Sequence, residues 1–122
     1  MIQLRSILKP ADNSGAKRLV VIHVHGGSRR RFGHLGDIIT AVVDQVDSQG
    51  VVKDAEVVRA LVVRCRKETK RKDGSYVRFD DNAAVVIDKE GNPRGTRIFG
   101  PIAREIKEAG YAKIASLAAE II

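Results

Sequence analysis

The residues whose types suit catalysis or metal binding are few and poorly placed for either. His23 and His25 lie two positions apart and could supply two metal ligands, but no carboxylate or second cysteine follows at ligand spacing. A zinc site needs three or four ligands. Cys65, the only cysteine, lies in an apolar run, which is typical of a small core residue. Asp80 and Asp81 are adjacent, so in a strand they point to opposite faces and cannot share a proton. The sequence therefore predicts no reaction centre, metal site or cofactor.

The basic residues offer a different chemistry, which is contact with a polyanion. Between Arg59 and Arg78 the chain carries eight Lys or Arg residues against Glu68 and Asp73, a net charge of +6. Burying unpaired cations is costly, so this segment must face water or an anionic partner. Asp73 is followed by Gly74, a pair that favours the turn of a tight β-hairpin. The segment is therefore predicted to be a basic hairpin.

A second basic cluster lies in the loop over residues 26–34. Arg29, Arg30 and Arg31 follow two glycines there, and guanidinium groups can bind phosphate oxygens in pairs of hydrogen bonds. The Walker-type nucleotide motif is absent. A solvated surface loop is the alternative, but a second basic element elsewhere in the chain favours phosphate contact.

Length and composition are those of one folded domain. The chain has 122 residues, of which 43% are hydrophobic, a net charge of +7 and a pI near 9.9, which fits a polyanionic partner. A single cysteine excludes an internal disulfide, and no apolar run reaches the ~20 residues of a membrane span. No secretion signal is recognisable. We expect a soluble cytoplasmic protein with no membrane contact.

Alternating hydrophobic residues predict strands over residues 19–25, 38–46, 57–65 and 83–87, with a short edge strand over residues 1–8 and a continuation at 51–53. Pro10 is expected to end pairing or to lie on a sheet edge, because it has no N–H to donate. In the strand that enters the basic hairpin, Leu61, Val63 and Cys65 are predicted to share one face. Residues 19–25 are apolar on both faces, as in a barrel wall that is covered on its outside.

The pattern changes after residue 94. Pro101 suits the first turn of a helix, Ile102 and Ile106 follow at helical spacing, and Gly110 is a typical residue at a helix C-terminus. A second short helix is predicted over residues 111–118. The sequence thus predicts several strands followed by a small helical tail.

Three functions remain compatible with these patterns. The first is binding of folded RNA through its phosphates, because aromatic residues are only 4% of the chain and stacking platforms need several. The second is a metal-dependent nuclease or other hydrolase that uses His23, His25 and Asp80. The third is a single-strand binder of the oligonucleotide-barrel type that uses Phe32 or Tyr76. The density of cations favours the first.

Three segments resemble a known family. Ala60-Leu61-Val62-Val63 is followed at fixed spacing by Asp73-Gly74, Phe79, Asn82 and Val85-Val86. Residues 11–16 (ADNSGA) and 95–101 (GTRIFGP) are similar to the family's opening motif and third block. Together the three segments span the whole chain in register. By this resemblance the chain is identified as a member of the bacterial type of the family of ribosomal protein fourteen of the large subunit.

The resemblance implies a mainly β fold, a small five-stranded β-barrel over about residues 1–95 with a protruding basic β-hairpin at 64–79 and a short C-terminal helical region at about 100–122. It implies a non-enzymatic structural role in the large ribosomal subunit, with binding to its rRNA. The residues assigned to that contact are Lys17, Arg18, Arg29, Arg30, Arg31, Arg64, Arg66, Lys67, Lys70, Arg71, Lys72 and Arg78.

The resemblance also implies contacts beyond large-subunit rRNA. Neighbouring ribosomal proteins three and nineteen are expected partners, as is small-subunit rRNA at intersubunit bridges. The bridge residues are expected to be Asp44, Gln45, Asp47, Ser48, Gln49, Thr96 and Arg97. A ribosome silencing factor is expected to contact Thr96, Arg97 and Lys113.

Overall fold

A computed structural model of the chain describes residues 2–27 and 29–122. Within those residues the elements, in chain order, are β1 (Ile7–Pro10), β2 (Ala16–Val24), β3 (Ile38–Val46), β4 (Val57–Arg64), β5 (Thr69–Lys70), β6 (Tyr76–Val77), β7 (Ala83–Ile87), β8 (Pro101–Ile102), α1 (Arg104–Glu108), α2 (Ala112–Leu117) and β9 (Glu120–Ile121). Strands β1, β2, β3, β4 and β7 form a closed barrel in that order. The predicted five-stranded barrel, basic hairpin and helical tail are therefore confirmed.

The barrel closes where β1 pairs with β7 in parallel, the other four barrel pairings being antiparallel. Pro10 is the last residue of β1 and pairs with Ala84 of β7, so the strand ends there as expected, although the closed barrel leaves it on no sheet edge. The amides that bond to the neighbouring strand are those of Lys9, which donates to the carbonyl of Asn82 (3.0 Å), and Ala11, which donates to that of Ala84 (2.9 Å). Since the residues on either side of Pro10 make the bonds, its missing N–H costs no ladder contact.

The start of the chain also differs from the predicted strand over residues 1–8. Ile2, fully buried, pairs with Gly33 in an isolated bridge, and regular pairing begins only at Ile7. Between them Arg5 has a positive φ of 69°, which interrupts the extended chain. The first residue of the predicted strand lies outside the described residues.

A register shift in β4 changes which face its side chains occupy. The pairing with β7 is irregular between Val62 and Arg64, as in a β-bulge, which adds one residue and reverses the alternation. Leu61 and Val63 pack on the outside of the barrel beneath the helices, whereas Cys65 packs inside with Val62. The prediction that Cys65 shares a face with Leu61 and Val63 is therefore wrong, although its burial was expected.

The helical tail covers one side of the barrel. Ile106 of α1 and Ile114 of α2 are fully buried against outward-facing residues of β4 and β7 such as Val85. Pro101 does not begin a helix but lies in β8, which pairs in parallel with β9. Gly110 follows α1 with a φ of +97°, as expected for a glycine at a helix C-terminus. Within the described residues no helix has the length and apolar character of a membrane span.

A buried carboxylate joins the turn after β1 to the barrel wall. Asp12 is only 6% exposed and accepts hydrogen bonds from the amide of Val86 (3.0 Å) and the hydroxyl of Ser14 (2.7 Å). Burial raises the pKa of Asp12 above its ordinary value, although these hydrogen bonds act in the opposite direction. The turn is thereby fixed to β7 rather than free at the surface.

The same turn fixes the β3–β4 connection. The carbonyl of Ser14 accepts the amide of Val51 (2.8 Å), and the carbonyl of Gly15 accepts the amide of Asp47 (2.8 Å). Residues 51–53 therefore form a bend and not the predicted strand, because the Val51 amide donates to Ser14 in the turn after β1 and not to a neighbouring strand. The close approach requires glycine, since a Cβ at either Gly15 or Gly50 would lie 2.5 Å from the other's Cα.

We expect Gly50→Ala to lower the free energy of unfolding by about 1–3 kcal/mol, because the new Cβ would overlap backbone atoms of both Gly15 and Ser14. The matched control is Gly33→Ala, whose Cβ meets its nearest neighbours at an ordinary 3.6 Å and should cost less than about 1 kcal/mol. Urea unfolding of both variants measures the difference. Equal losses would show that the contact between the two turns is not tight in solution.

Candidate nucleic-acid interface

The basic hairpin is a regular but very short β-ribbon. Thr69 of β5 pairs with Val77 of β6, and the amide of Arg71 donates to the carbonyl of Ser75 (2.8 Å) across the turn. Asp73 accepts the amide and hydroxyl of Ser75 at 2.9 and 2.6 Å, and the hydroxyl contact is the main cause that lowers the pKa of this carboxyl. The predicted turn is therefore confirmed, and its carboxylate is used within the turn.

Arg71 attaches the hairpin to the C-terminal region. Its Nε donates to Glu105 Oε1 of α1 (2.7 Å) and its Nη2 donates to the carbonyl of Ile122 (2.6 Å). Its side chain is 16% exposed, whereas Lys70 and Lys72 on either side are exposed. Arg71 thus orients the hairpin, and its two lysine neighbours are presented to the surroundings.

Arg64 was predicted to contact rRNA, and the structure places it inside the protein. Its residue is 7% exposed, its Nε donates to Asp81 Oδ1 (2.9 Å), and its Nη1 donates to the carbonyls of Phe99 (2.9 Å) and Pro101 (3.2 Å). The adjacent Gly100 has a φ of +76° and leaves room for the guanidinium. Arg64 therefore connects β4 to the segment before α1 and is not part of the exposed basic surface.

The loop over residues 26–34 shows the same division of roles. Arg30 forms an ion pair with Asp37 and donates from Nε to the carbonyl of Phe32 (3.2 Å). Arg29 and Arg31 are exposed. Ser28, which belongs to the predicted loop, lies outside the described residues. Arg30 thus helps to fix the loop although its side chain is still 32% exposed, and its two arginine neighbours are exposed as well.

The loop and the hairpin lie beside one another. A cleft of about 260 Å³ between them is lined by His34 of the loop and by Cys65, Lys67 and Lys70 at the base of the hairpin. The sequence analysis did not predict that the loop and the hairpin lie close together, because the two segments are far apart in the chain. The end of the loop at His34 therefore lies beside the base of the hairpin, whereas Arg30 and Arg31 line another cleft with Gln3 and His23.

A second basic cleft, of about 330 Å³, brings residues of β2 together with the hairpin. Lys17 and Arg18 line it with Arg66 from the start of the hairpin and with Lys9 of β1. Lys9 has a side chain that is 70% exposed, and it was missed in the sequence analysis. It stands alone in the sequence, and only the pairing of β1 with β2 places it beside Arg18.

A third cleft lies between the hairpin and α1. Lys70 and Lys72 line it together with Arg104, the first residue of α1, which the sequence analysis did not single out. Arg78 lines a separate and larger cleft with Phe79, Asp80 and Asp81. The exposed cations of the hairpin therefore extend over both of its sides.

Of the expected bridge residues, Asp44 and Gln45 lie at the end of β3, and Asp47, Ser48 and Gln49 form the exposed turn that follows. Gln45 has a positive φ of 59°, and its amide donates to Asp54 Oδ1 (3.2 Å). Asp47 accepts the amide of Gln49 (3.2 Å), and Asp44 forms an ion pair with Arg18. Ser48, at the tip, is exposed.

Asn13 determines the backbone conformation of Thr96 and Arg97. Its Oδ1 accepts the amides of Thr96 (2.7 Å) and Arg97 (3.0 Å), and its Nδ2 donates to Thr96 Oγ1 (2.8 Å). Both target residues are exposed. The sequence analysis included Asn13 only in the motif over residues 11–16, because a contact across more than eighty positions leaves no local pattern. The turn after β1 thus supports both groups of expected bridge residues.

Lys113, the third residue expected to contact a silencing factor, is exposed on α2. Its charge acts on Asp88: hydrogen bonds, chiefly from the Asn92 amide, lower the pKa of Asp88, and Lys113 adds a smaller effect. No described contact joins Lys113 to Thr96 or Arg97. The structure therefore shows two of the three residues as neighbours and places the third on another element.

The residues considered for catalysis do not form a site. His25 Nε2 makes a hydrogen bond with Thr40 Oγ1 (2.7 Å). The ring centroids of His23 and His25 lie 5.1 Å apart. Partial burial and, to a lesser extent, His23 lower the pKa of His25. Over residues 2–27 and 29–122 no three metal-ligating side chains come together. Asp80 lies across the barrel closure, beside Lys9 rather than the histidines.

We expect Asn13→Ala to release the Thr96–Arg97 backbone, because each lost hydrogen bond contributes about 0.5–1.5 kcal/mol. Asn13→Asp is the matched control, since its carboxylate can still accept both amides. Amide hydrogen exchange followed by NMR should show much faster exchange at both residues in the alanine variant only. Equal protection in the two variants would show that Asn13 does not set this conformation.

The family comparison agrees with this architecture. The model of the family described as ribosomal protein L14p/L23e matches residues 1–122. The match covers the three motif segments, the closed barrel, the basic hairpin and the helical tail. The family is a structural, non-enzymatic one of the large ribosomal subunit. The chain belongs to the ribosomal protein L14p/L23e family and is a structural constituent of the large ribosomal subunit.

Proposed function

We propose that the chain binds large-subunit rRNA through one basic side of the barrel. The observation that supports this most directly is that neighbouring cations in the loop and in the hairpin have different roles. Arg30 and Arg71 make ion pairs within the protein that fix the loop and the hairpin, although Arg30 is still partly exposed, while Arg29, Arg31, Lys70 and Lys72 beside them are exposed. A loop and a hairpin that are already held in place lose less conformational entropy on binding, so the exposed cations that they carry suit phosphate contact.

The proposed surface combines the loop, the hairpin and the β2 cleft. Its exposed cations are Lys9, Lys17, Arg18, Arg29, Arg31, Arg66, Lys67, Lys70, Lys72 and Arg78. Arg64 is left out because its guanidinium is occupied inside the protein. A-form RNA is recognised mainly through its shape and phosphates, and a surface rich in cations and poor in stacking aromatics fits that mode of binding.

We expect the double variant Lys70→Glu, Lys72→Glu to prevent incorporation into large subunits without unfolding the protein, since both side chains are exposed. The control, Lys89→Glu with Lys107→Glu, makes the same change in net charge at exposed sites outside the proposed surface. Sedimentation at low magnesium, where the subunits separate, measures incorporation. Equal loss of incorporation in both variants would show that net charge alone causes the effect, and would contradict the proposed surface.

We also propose that the β3–β4 turn and Thr96–Arg97 contact small-subunit rRNA in intersubunit bridges. Both are exposed, and both are fixed by the turn after β1, through Gly15 and Asn13 respectively. Thr96, Arg97 and Lys113 are proposed as the contact for a ribosome silencing factor, and ribosomal proteins three and nineteen as neighbours within the cytoplasmic ribosome.

Arg97→Glu should leave incorporation unchanged and weaken subunit joining, because it places a negative charge where phosphate is proposed to approach. Lys89→Glu, with the same charge change on another loop, is the control. Both can be measured by re-association of purified subunits at increasing magnesium. Normal joining by the Arg97→Glu subunits would contradict the bridge assignment.

A further inference from the structure

Part of the outer barrel wall carries an apolar row that no described element covers. Strand register places four residues side by side across β1, β2, β3 and β4: Ile7 opposite Val20, Val20 opposite Val42, and Val42 opposite Val57. Ile7 is 56% exposed and Val57 60%, and the two central valines are half-buried. The helices cover the far end of β4 and β7, so this half of the wall faces outward.

The dimensions of the apolar row suit a helix. Neighbouring strands lie about 4.8 Å apart, so four side chains in a row span about 14 Å. A helix covers that length in roughly nine or ten residues, and its diameter of about 10 Å matches one row with its two margins. Ile22, two residues after Val20 on the same face of β2, is 46% exposed and widens the apolar surface.

The margins of the apolar row carry an excess of positive charge. On one side, Lys9 and Arg18 lie in the next positions along β1 and β2, with Asp44 paired to Arg18. On the other side Arg59 lies opposite Thr40. Three cations thus border the row against two carboxylates, Asp44 paired with Arg18 and Asp81 at 3.9 Å from Lys9 Nζ, which leaves Arg59 as the cation that supplies the excess.

These features select among possible occupants. A second copy of the chain would bring like-charged margins together. RNA would find no hydrogen-bond donor and no aromatic face along the centre of the row, which is aliphatic. We propose that the apolar row binds a short amphipathic protein helix whose apolar stripe is bordered by acidic residues. This surface shares Lys9 and Arg18 with the one proposed for rRNA, but its apolar centre is not part of the cation contacts and its test uses no RNA.

The test uses the full chain and two synthetic helical peptides that share one leucine stripe, bordered by glutamates in one and by lysines in the other. Fluorescence anisotropy should show binding of the glutamate-bordered peptide, with at least about tenfold weaker binding of the lysine-bordered one. The double variant Ile7→Ser, Val57→Ser should lose that binding. Val51→Ser, at an equally exposed valine outside the row, should not.

A second variant tests the charge requirement without altering the apolar row. Arg59→Glu should weaken binding of the glutamate-bordered peptide and strengthen binding of the lysine-bordered one. Failure of the glutamate-bordered peptide to bind, or equal binding of both peptides, would overturn the proposal. Self-association of the chain that disappears in Ile7→Ser, Val57→Ser would also overturn it, because the row would then belong to an interface between copies.

Discussion

The hydrogen bond from the Val86 amide to the buried Asp12 carboxylate is the contact on which the exposed surfaces depend. It fixes the turn after β1 to the barrel wall at the place where β1 and β7 close the barrel. From that turn, Ser14 and Gly15 fix the β3–β4 connection, and Asn13 fixes Thr96. Burial makes the carboxylate costly to ionise, yet three neighbouring donors compensate for part of that cost. One polar contact thus determines the positions of several loops.

The basic residues of this protein divide into two groups that composition alone cannot separate. Arg64, Arg30 and Arg71 form ion pairs and bond to backbone carbonyls, so they stabilise the places where the loop, the hairpin and the tail meet the barrel. Arginine suits this role because its planar group offers five donors at fixed angles. The exposed cations beside them are mainly lysines on the hairpin and arginines in the loop. A charge count therefore overstates the surface that is available to a polyanion.

The outside of the barrel is also divided. One half is covered by the two short helices, which bury the outward residues of β4 and β7. The other half presents the apolar row between charged margins. Strand β2 has apolar residues on both faces. The same pattern is expected whether the outer face of the wall is covered by the chain itself or by another molecule. Only the position of the tail distinguishes the two cases.

The sequence by itself determined the barrel strands at residues 38–46 and 83–87, the hairpin turn at Asp73 and the family, because alternation, turn chemistry and motif spacing are local properties. Tertiary structure alone decided the face of Cys65 and the burial of Arg64, because a bulge reverses the alternation through a register that depends on the partner strand. It also decided the role of Asn13, because a hydrogen bond across the fold requires the closed barrel to bring its partners together.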